Sequence, residues 1–288
     1  MFKENDTVGI VVNSNGQSIL EKEKIEKLIK ILKGYGLNMK CTPFIYQKEN
    51  VFSSNAQQKA NIMMEFYRDK DIKAIFDISG GDLANSIIDL LDYESIQNNP
   101  KIFFGYSDLT CVINALYAKT HQTNILYSIK NLLVPKQQIQ FYETMFNNSH
   151  SLYQFQYRFI QGKEMAGIVV GGNIRCFLKL AGTKYFPDMN HKILFLESLG
   201  GESALIYSHL IHLKQLGVFE KINGIILGTF TVMEKKNCQP SVIELLTSIV
   251  DQNMPIVKTQ DIGHSQDSKA LMIGKYITLT NNSEIYIS

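Results

Sequence analysis

The sequence is poor in the features on which several classes of protein depend. Its four cysteines include no Cys-x-x-Cys pair, so neither a cysteine zinc site nor a disulfide framework is indicated. Only three arginines are present and the net charge is +2, which gives no electrostatic case for nucleic acid or anionic lipid as a partner. No apolar run approaches the roughly 18 residues of a membrane span, and the first residues lack the apolar segment of a secretory signal. We therefore expect a cytoplasmic protein that binds neither nucleic acid nor membrane.

What is present is typical of a globular chain. Of the 288 residues, 45% are hydrophobic and 19% are charged, and the length favours about two domains. In the first part, short apolar or β-branched runs are separated mostly by segments of helical periodicity. The predicted strands are 7–13, 38–42, 74–78 and 101–105, and the predicted helices are 19–33, 56–69 and 109–119. This alternation predicts βαβ crossovers and a mostly parallel sheet in a domain of residues 1–130.

The periodic pattern is lost over residues 131–165, which are rich in glutamine, asparagine and aromatic residues. This segment is predicted to connect two lobes and to have room for a short helix around Phe141. A second domain is predicted over residues 166–288. Its predicted strands are 167–170, 192–196 and 224–227, its predicted helices are 203–216 and 241–253, and its last three strands, 270–273, 276–279 and 284–287, are predicted to be antiparallel with a turn at Asn281-Asn282.

A serine stands where a predicted strand meets a predicted helix, in Gly105-Tyr106-Ser107-Asp108. A tight strand-to-helix turn exposes a serine hydroxyl as a nucleophile elbow does, and a helix N-terminus favours developing negative charge. Serine and aspartate are also the usual residues of a helix N-cap, and Leu109 replaces the second glycine of Gly-x-Ser-x-Gly. The local sequence therefore leaves two interpretations of Ser107, a nucleophile and a cap.

A glycine pair ends the preceding predicted strand, in Ser79-Gly80-Gly81-Asp82. Paired glycines allow close approach to a ligand and expose backbone N–H donors, as an oxyanion hole requires, although a plain turn has the same composition. Ligands of open α/β sheets bind beyond the carboxyl ends of the strands, where both this segment and Ser107 are predicted to lie.

A serine nucleophile needs a base and a group that orients the base. Of six histidines, His264 lies in a polar loop between predicted strands, where catalytic side chains collect. Glu197 follows four apolar strand residues and is either the orienting carboxylate or an ordinary strand-end acid. His209 and His212 lack a third ligand and are interpreted as a helix face and not as a metal site.

Three segments together resemble the LD-carboxypeptidase family of serine peptidases, which includes the microcin C self-immunity peptidases. The segments are residues 92–110, residues 171–183 with 193–197, and Ile262-Gly263-His264. They lie in the expected order, and the resemblance runs over nearly the whole chain. It implies an α/β fold with an N-terminal Rossmann-like, flavodoxin-like lobe built on a parallel sheet, a C-terminal mixed β/α lobe with a barrel-like part, and a homodimer.

The resemblance assigns the family's Ser-Glu-His triad to Ser107, Glu197 and His264. The family's oxyanion hole corresponds to the backbone N–H groups of Gly81 and Asp108. These residues imply a serine-type carboxypeptidase-like hydrolase, with no metal or other cofactor. Its expected partner is a small peptide or an aminoacyl-nucleotide, in which it hydrolyses an amide bond.

Substrate contacts are predicted at Gly80, Asp82 and Tyr185. Family members typically carry an arginine before the glycine pair, where this chain has Ser79, and its pattern is closer to the microcin-immunity branch. That branch stacks the nucleotide on a tryptophan, which this chain lacks; Tyr185 is a weaker stacking surface or simply a core aromatic. The alternative function is a non-catalytic nucleotide- or peptide-binding member of the fold, although the first loop lacks Gly-x-Gly-x-x-Gly.

Overall fold

The structure is a computed structural model that describes residues 2–281 and 285–287. Its first part alternates strands and helices as the periodicity predicts. In chain order these elements are β1 (Thr7–Val11), α1 (Lys22–Gly34), β2 (Asn38–Cys41), α2 (Ala56–Arg68), β3 (Ile72–Asp77), α3 (Tyr93–Asn98), β4 (Ile102–Gly105), α4 (Thr110–Thr120), β5 (Asn124–Leu126) and α5 (Pro135–Phe146).

Local sequence explains the buried face of α1 and the N-terminus of α2. Helix α1 buries Ile25, Leu28 and Leu32, a spacing of three and four residues that places them on one face. Helix α2 begins with a capping box, in which the Asn55 side chain accepts from the Gln58 N–H and the Gln58 side chain accepts from the Asn55 N–H. Local sequence therefore fixes the buried face of α1 and the first residue of α2.

The second part contains the remaining elements. They are β6 (Arg158–Gln161), β7 (Glu164–Asn173), α6 (Ile174–Leu178), β8 (Lys192–Ser198), α7 (Ser203–Gln215), β9 (Gly224–Phe230), α8 (Thr231–Lys235), α9 (Val242–Thr247), β10 (Ile256–Lys258), β11 (Leu271–Ile273), β12 (Tyr276–Thr280) and β13 (Ile285–Ile287). Among the residues described, no helix combines the length and the apolar character needed to cross a membrane.

Two sheets organise the described chain. The first has the order β11-β5-β4-β3-β1-β2, with β2, β1, β3, β4 and β5 parallel and β11 antiparallel at the edge. The second has the order β13-β12-β7-β8-β9-β10-β6, with β7 to β10 parallel and the outer strands antiparallel. It is curled into a half-barrel. The predicted fold class, a parallel-sheet N-terminal lobe with a mixed, barrel-like C-terminal lobe, is confirmed.

Several elements differ from the sequence prediction. The segment 131–165 contains α5, which covers the position of the short helix expected around Phe141, and also β6, an edge strand of the second sheet that was not predicted. Strand β11 is antiparallel as predicted, but its partner is β5 of the first sheet, so the chain returns to the N-terminal lobe. Helix α9 ends at Thr247, earlier than the predicted residue 253. The predicted turn at Asn281-Asn282 and the start of the last strand at Glu284 fall partly outside the described residues. The predicted domain boundaries stay a prediction.

Helix α4 is buried on nearly every side. Each residue from Thr110 to Tyr117 is buried, because the helix lies between the first sheet and strand β7 of the second. A helix that is apolar all round is the kind that packs in the interior of a protein. Ser107 precedes this helix by three positions, so the predicted nucleophile lies at the start of a fully packed helix.

Candidate active site

Ser107 lies in the turn between β4 and α4. The strand ends at Gly105, where an added Cβ would lie 2.7 Å from the Cβ of Leu109, so a larger residue would open the turn. Ser107 has a φ of +56°, in the left-handed region that is strained for a non-glycine residue. Strain of this kind concentrates at functional sites. The turn holds the serine at the carboxyl edge of the first sheet, where α/β proteins bind their ligands.

His264 joins Ser107 to Glu197. Its Nε2 lies 3.0 Å from the Ser107 Oγ, and its Nδ1 lies 2.6 Å from the Glu197 Oε2. Ser107 follows β4 of the first sheet, whereas Glu197 is in β8 of the second and His264 is in the loop after β10. An ionised carboxylate only accepts hydrogen bonds, so Nδ1–H donates to Glu197 and Nε2 accepts from the Ser107 hydroxyl. The three groups are thus arranged as nucleophile, base and orienting acid.

Glu197 is held by a residue whose role the sequence did not indicate. The carboxylate is fully buried, and its Oε1 accepts from the Asn173 Nδ2 at 3.0 Å. Asn173 is the last residue of β7 and lies beside Glu197 in the parallel register of β7 and β8. No sequence pattern marks an amide side chain that orients a carboxylate. The one indication in the sequence was that Asn173 lies in residues 171–183, a segment that resembles the LD-carboxypeptidase family.

The end of β7 rests directly on α4. The Asn114 side chain donates to the Gly171 O and accepts from the Gly171 N–H, each at 2.8 Å. At Gly172, which has a φ of +145°, an added Cβ would lie 2.5 Å from the Thr110 Oγ1. Glycine therefore permits this close approach. Because β7 is paired with β8, the contact fixes Glu197 relative to the helix that follows Ser107.

The predicted oxyanion-hole residues, Gly81 and Asp108, belong to the glycine-pair loop that follows β3 and to the turn that contains Ser107. Gly81 lines the same cavity as Ser107 and has a φ of +125°. The loop before it is anchored by Asp77, whose Oδ1 accepts from the Ser79 N–H at 2.8 Å and from the Ser79 Oγ at 2.5 Å. Burial raises the pKa of Asp77 to about 6, although these hydrogen bonds oppose the rise. Among the described residues no backbone acceptor pairs with the N–H of Gly81 or of Asp108. Gly81 lines the cavity, whereas Asp108 is fully buried and reaches it only through its neighbour Ser107.

The Asp108 side chain makes a buried ion pair that the sequence analysis missed. Its Oδ1 lies 2.5 Å from the Lys179 Nζ, and its Oδ2 accepts from the Ser14 Oγ at 2.6 Å and from the Ala84 N–H at 2.8 Å. Lys179 also donates to the Asp82 O at 2.7 Å. The lysine, which follows α6 of the second lobe, therefore ties together the nucleophile turn and the glycine-pair loop of the first.

Replacing Lys179 with methionine is expected to lower the free energy of unfolding by about 3 kcal/mol, because it leaves the fully buried Asp108 carboxylate without its counter-ion. Denaturant unfolding measures the change. The matched control is Lys236→Met, which breaks an ion pair of the same length, 2.5 Å, in which both side chains are more than half exposed. That variant is expected to unfold almost as the parent does. Equal losses in the two variants would show that the Lys179 pair has no special role.

Two cavities meet at Ser107. The larger, of about 370 Å³, is lined by Gly81, Asp82, Ser107, Asn173, Arg175, Ser198, Leu199, Gly200, Gly201, Leu205 and His209. The smaller, of about 200 Å³, is lined by Ser79, Gly80, Tyr106, Ser107, Ser128, Lys130, Asn131, Gly263, His264 and Ser265. Ser107 is common to both, so a substrate bound across the serine would place one part in each.

The predicted substrate-contact residues divide between these cavities and the core. Gly80 lines the smaller cavity, and Asp82 lines the larger one, where its carboxylate pairs with Arg175 at 2.5 Å. Tyr185 lines neither. It is buried, its ring lies against that of Tyr93, and its hydroxyl donates to Asp89 at 2.6 Å. The structure therefore brings Gly80 and Asp82 to the cleft and leaves Tyr185 packed as a core aromatic.

A third cavity, of about 510 Å³, lies against β6 and β10 and contains no predicted site residue. Its lysine, Lys258, donates to the Gly228 O at 2.6 Å and to the Glu234 Oε1 at 2.8 Å, so the ammonium group is already engaged. The lining contains no serine, histidine and acid joined as they are at Ser107. Size alone does not make it the reactive centre.

The described fold has two lobes, and hydrogen bonds join a serine, a histidine and a buried glutamate where the lobes meet. This is the order of groups that a serine nucleophile requires. Two family models match this chain, the LD-carboxypeptidase N-terminal domain over residues 8–127 and the LD-carboxypeptidase C-terminal domain over residues 166–279. The chain belongs to the LD-carboxypeptidase family, and the resemblance drawn from its sequence is confirmed.

The curated relatives come from both branches of the family. The chain is 26% identical to the microcin C7 self-immunity protein MccF of Escherichia coli, over 98% of this chain and 93% of that protein. It is also 26% identical to a Bacillus subtilis protein described as "Probable murein peptide carboxypeptidase", over 95% of this chain and 88% of the relative. Sequence identity therefore does not separate the two branches.

Solved structures show the same fold. MccF in complex with glutamyl sulfamoyl guanosine superposes with a TM-score of 0.87 at 22% identity, covering 99% of this chain and 96% of that one. The muramoyltetrapeptide carboxypeptidase of Oxalobacter formigenes gives 0.79 at 20% identity, covering 97% and 96%. Both lobes of the present chain are therefore arranged as in these proteins.

Proposed function

We propose that this protein is a serine peptidase that hydrolyses an amide bond in a small peptide-like substrate. The observation that carries the proposal is the hydrogen-bonded chain from the Ser107 Oγ through His264 to Glu197, with separations of 3.0 Å and 2.6 Å. Membership of the LD-carboxypeptidase family supports the reaction class.

The geometry supports acylation followed by hydrolysis. Nε2 of His264 takes the Ser107 proton as the Oγ attacks the amide carbon, and Glu197 stabilises the imidazolium that forms. The Gly81 and Asp108 N–H groups bind the oxyanion of the tetrahedral intermediate. When the C–N bond breaks, Nε2–H gives its proton to the leaving amine. Water, deprotonated by Nε2, then attacks the acyl-enzyme and restores the Ser107 hydroxyl as the acid product leaves.

The alternative, a non-catalytic nucleotide- or peptide-binding protein, accounts less well for the site. Such a protein has no need of a serine held in a left-handed conformation, nor of an imidazole placed between that serine and a fully buried carboxylate. Asn173 adds to this argument, since its hydrogen bond holds the carboxylate in the orientation that the imidazole requires. We therefore favour turnover.

A substrate panel tests the proposal. The purified protein is incubated with a murein tetrapeptide that has a D-amino-acid terminus and, in parallel, with aminoacyl sulfamoyl adenosine analogues, and released amino acid is measured. We expect release from at least one class of compound. Release from the tetrapeptide alone assigns the murein type of substrate, and release from the analogues alone assigns the aminoacyl-nucleotide type. Binding of either compound without any release would establish the non-catalytic alternative.

A further inference from the structure

Lys130 is a cation on the wall of the smaller cavity that lacks an anionic partner. It lies in the helical turn Ile129–Leu133 that follows β5. Its Nζ donates to a neutral group, the Gln17 Oε1, at 3.2 Å, and within the described chain it takes part in no ion pair. Burial lowers the pKa of Lys130, and the charges of Glu21 and Asp77, beyond ion-pair distance, oppose this only in part. A bound anion would compensate the ammonium group.

The position of His264 indicates which part of a substrate enters this cavity. The imidazole that takes the serine proton must later give a proton to the leaving amine, so the leaving group lies on the histidine side of the nucleophile. His264 lines the smaller cavity and does not line the larger. The leaving group is therefore assigned to the smaller cavity, which contains Lys130, and the acyl part to the larger.

We propose that Lys130 binds the carboxylate of the amino acid that leaves after cleavage, and so makes this site specific for a free carboxyl terminus. This inference rests on the proposed function. The cavity of about 200 Å³ is smaller than the roughly 300 to 1,000 Å³ of sites for drug-sized ligands, so it suits one amino acid better than a nucleotide. Its other polar lining, Ser79, Ser128, Asn131 and Ser265, suits a small hydrophilic group.

The cation of the larger cavity is less available for this role. The Arg175 Nη1 pairs with Asp82 at 2.5 Å, and its Nη2 donates to the Gly81 O at 2.9 Å. Its charge is thus already balanced by a carboxylate of the same chain. Of the two cations that line the cavities at Ser107, Lys130 is the one without a carboxylate partner among the described residues.

Binding to an inactive variant tests the proposal without requiring turnover. In the Ser107→Ala background, calorimetry compares a murein tetrapeptide with its terminal amide, in which a neutral carboxamide replaces the terminal carboxylate. We expect the acid to bind roughly 10- to 100-fold more tightly, the usual range for a hydrogen bond between charged groups. Adding Lys130→Met should abolish this preference, and adding Lys130→Arg should keep most of it. The control, Lys136→Met, removes an exposed lysine six positions away and should leave the preference unchanged.

The other possible results decide against the role of Lys130 or separate it from the proposed peptidase activity. Equal binding of acid and amide, no binding of either, or a preference that survives Lys130→Met would overturn the role of Lys130. If Lys130→Met instead weakens the binding of an aminoacyl sulfamoyl adenosine analogue and of no other compound, the ligand of Lys130 is not the carboxylate of an amino acid. If the preference for the acid depends on Lys130 but the unmodified protein releases no amino acid, then Lys130 is the carboxylate anchor and the proposed peptidase activity fails.

Discussion

Replacing Ser107 with alanine is expected to lower kcat by roughly 10³- to 10⁶-fold, with little change in KM. The substitution removes the attacking oxygen, while the candidate oxyanion donors and both cavities stay in place. Substrate binding should therefore persist and the chemical step should nearly stop. Steady-state kinetics with the compound that the panel identifies gives both constants.

The control for this variant is Ser248→Ala, which removes a hydroxyl that donates to the Leu245 O at 2.7 Å, outside the cleft. It should turn over substrate at the parent rate. Thermal unfolding of both variants shows that the fold is retained. Activity within tenfold of the parent after Ser107→Ala would end the assignment of Ser107 as nucleophile.

Replacing Glu197 with glutamine is expected to lower kcat by roughly 10⁴-fold. Glutamine keeps the shape of the side chain, and its Oε1 can still accept from Asn173. Its amide group, however, offers a donor to Nδ1 of His264, so the imidazole adopts the tautomer that carries its proton on Nε2. Nε2 then cannot accept the Ser107 proton. Since KM depends on binding and not on the tautomer, the loss should fall on kcat.

Glu202→Gln is the matched control for this prediction, because Glu202 is exposed and pairs with Lys236. That variant should keep its activity. A kcat for Glu197→Gln within about tenfold of the parent would mean that His264 does not depend on this carboxylate for its orientation, and the triad assignment would lose its acid.

Much of the fold could be predicted because the spacing of apolar residues along the chain indicates the strands and helices. The alternation of short apolar or β-branched runs with segments of helical periodicity up to residue 120 indicates parallel strands with helical crossovers, and the first sheet has them. Strand β6 could not be predicted in this way, since it is a short edge strand without alternation between buried and exposed positions. The pairing of β11 with β5 depends on contacts between residues far apart in the chain, which no local pattern records.

The candidate site divides in a similar way. Ser107, Glu197 and His264 stand at strand ends and in a polar loop, so the sequence could single them out, and the structure places them within hydrogen-bonding distance. Their catalytic roles stay predictions. Lys130 and Lys179 were not singled out, because the importance of each arises from contacts between residues far apart in the chain. The expected homodimer also stays a prediction.

Covalent labelling of the unmodified protein is the most direct test that a reactive serine lies at the junction of the two lobes. The protein is treated with a serine-reactive phosphonate and the adduct is located by peptide mass spectrometry. We expect one adduct per chain, on Ser107, and its loss when His264 is replaced by alanine, because the hydroxyl then has no base. No adduct on Ser107, or equal labelling after His264→Ala, would contradict the triad on which the proposed function depends.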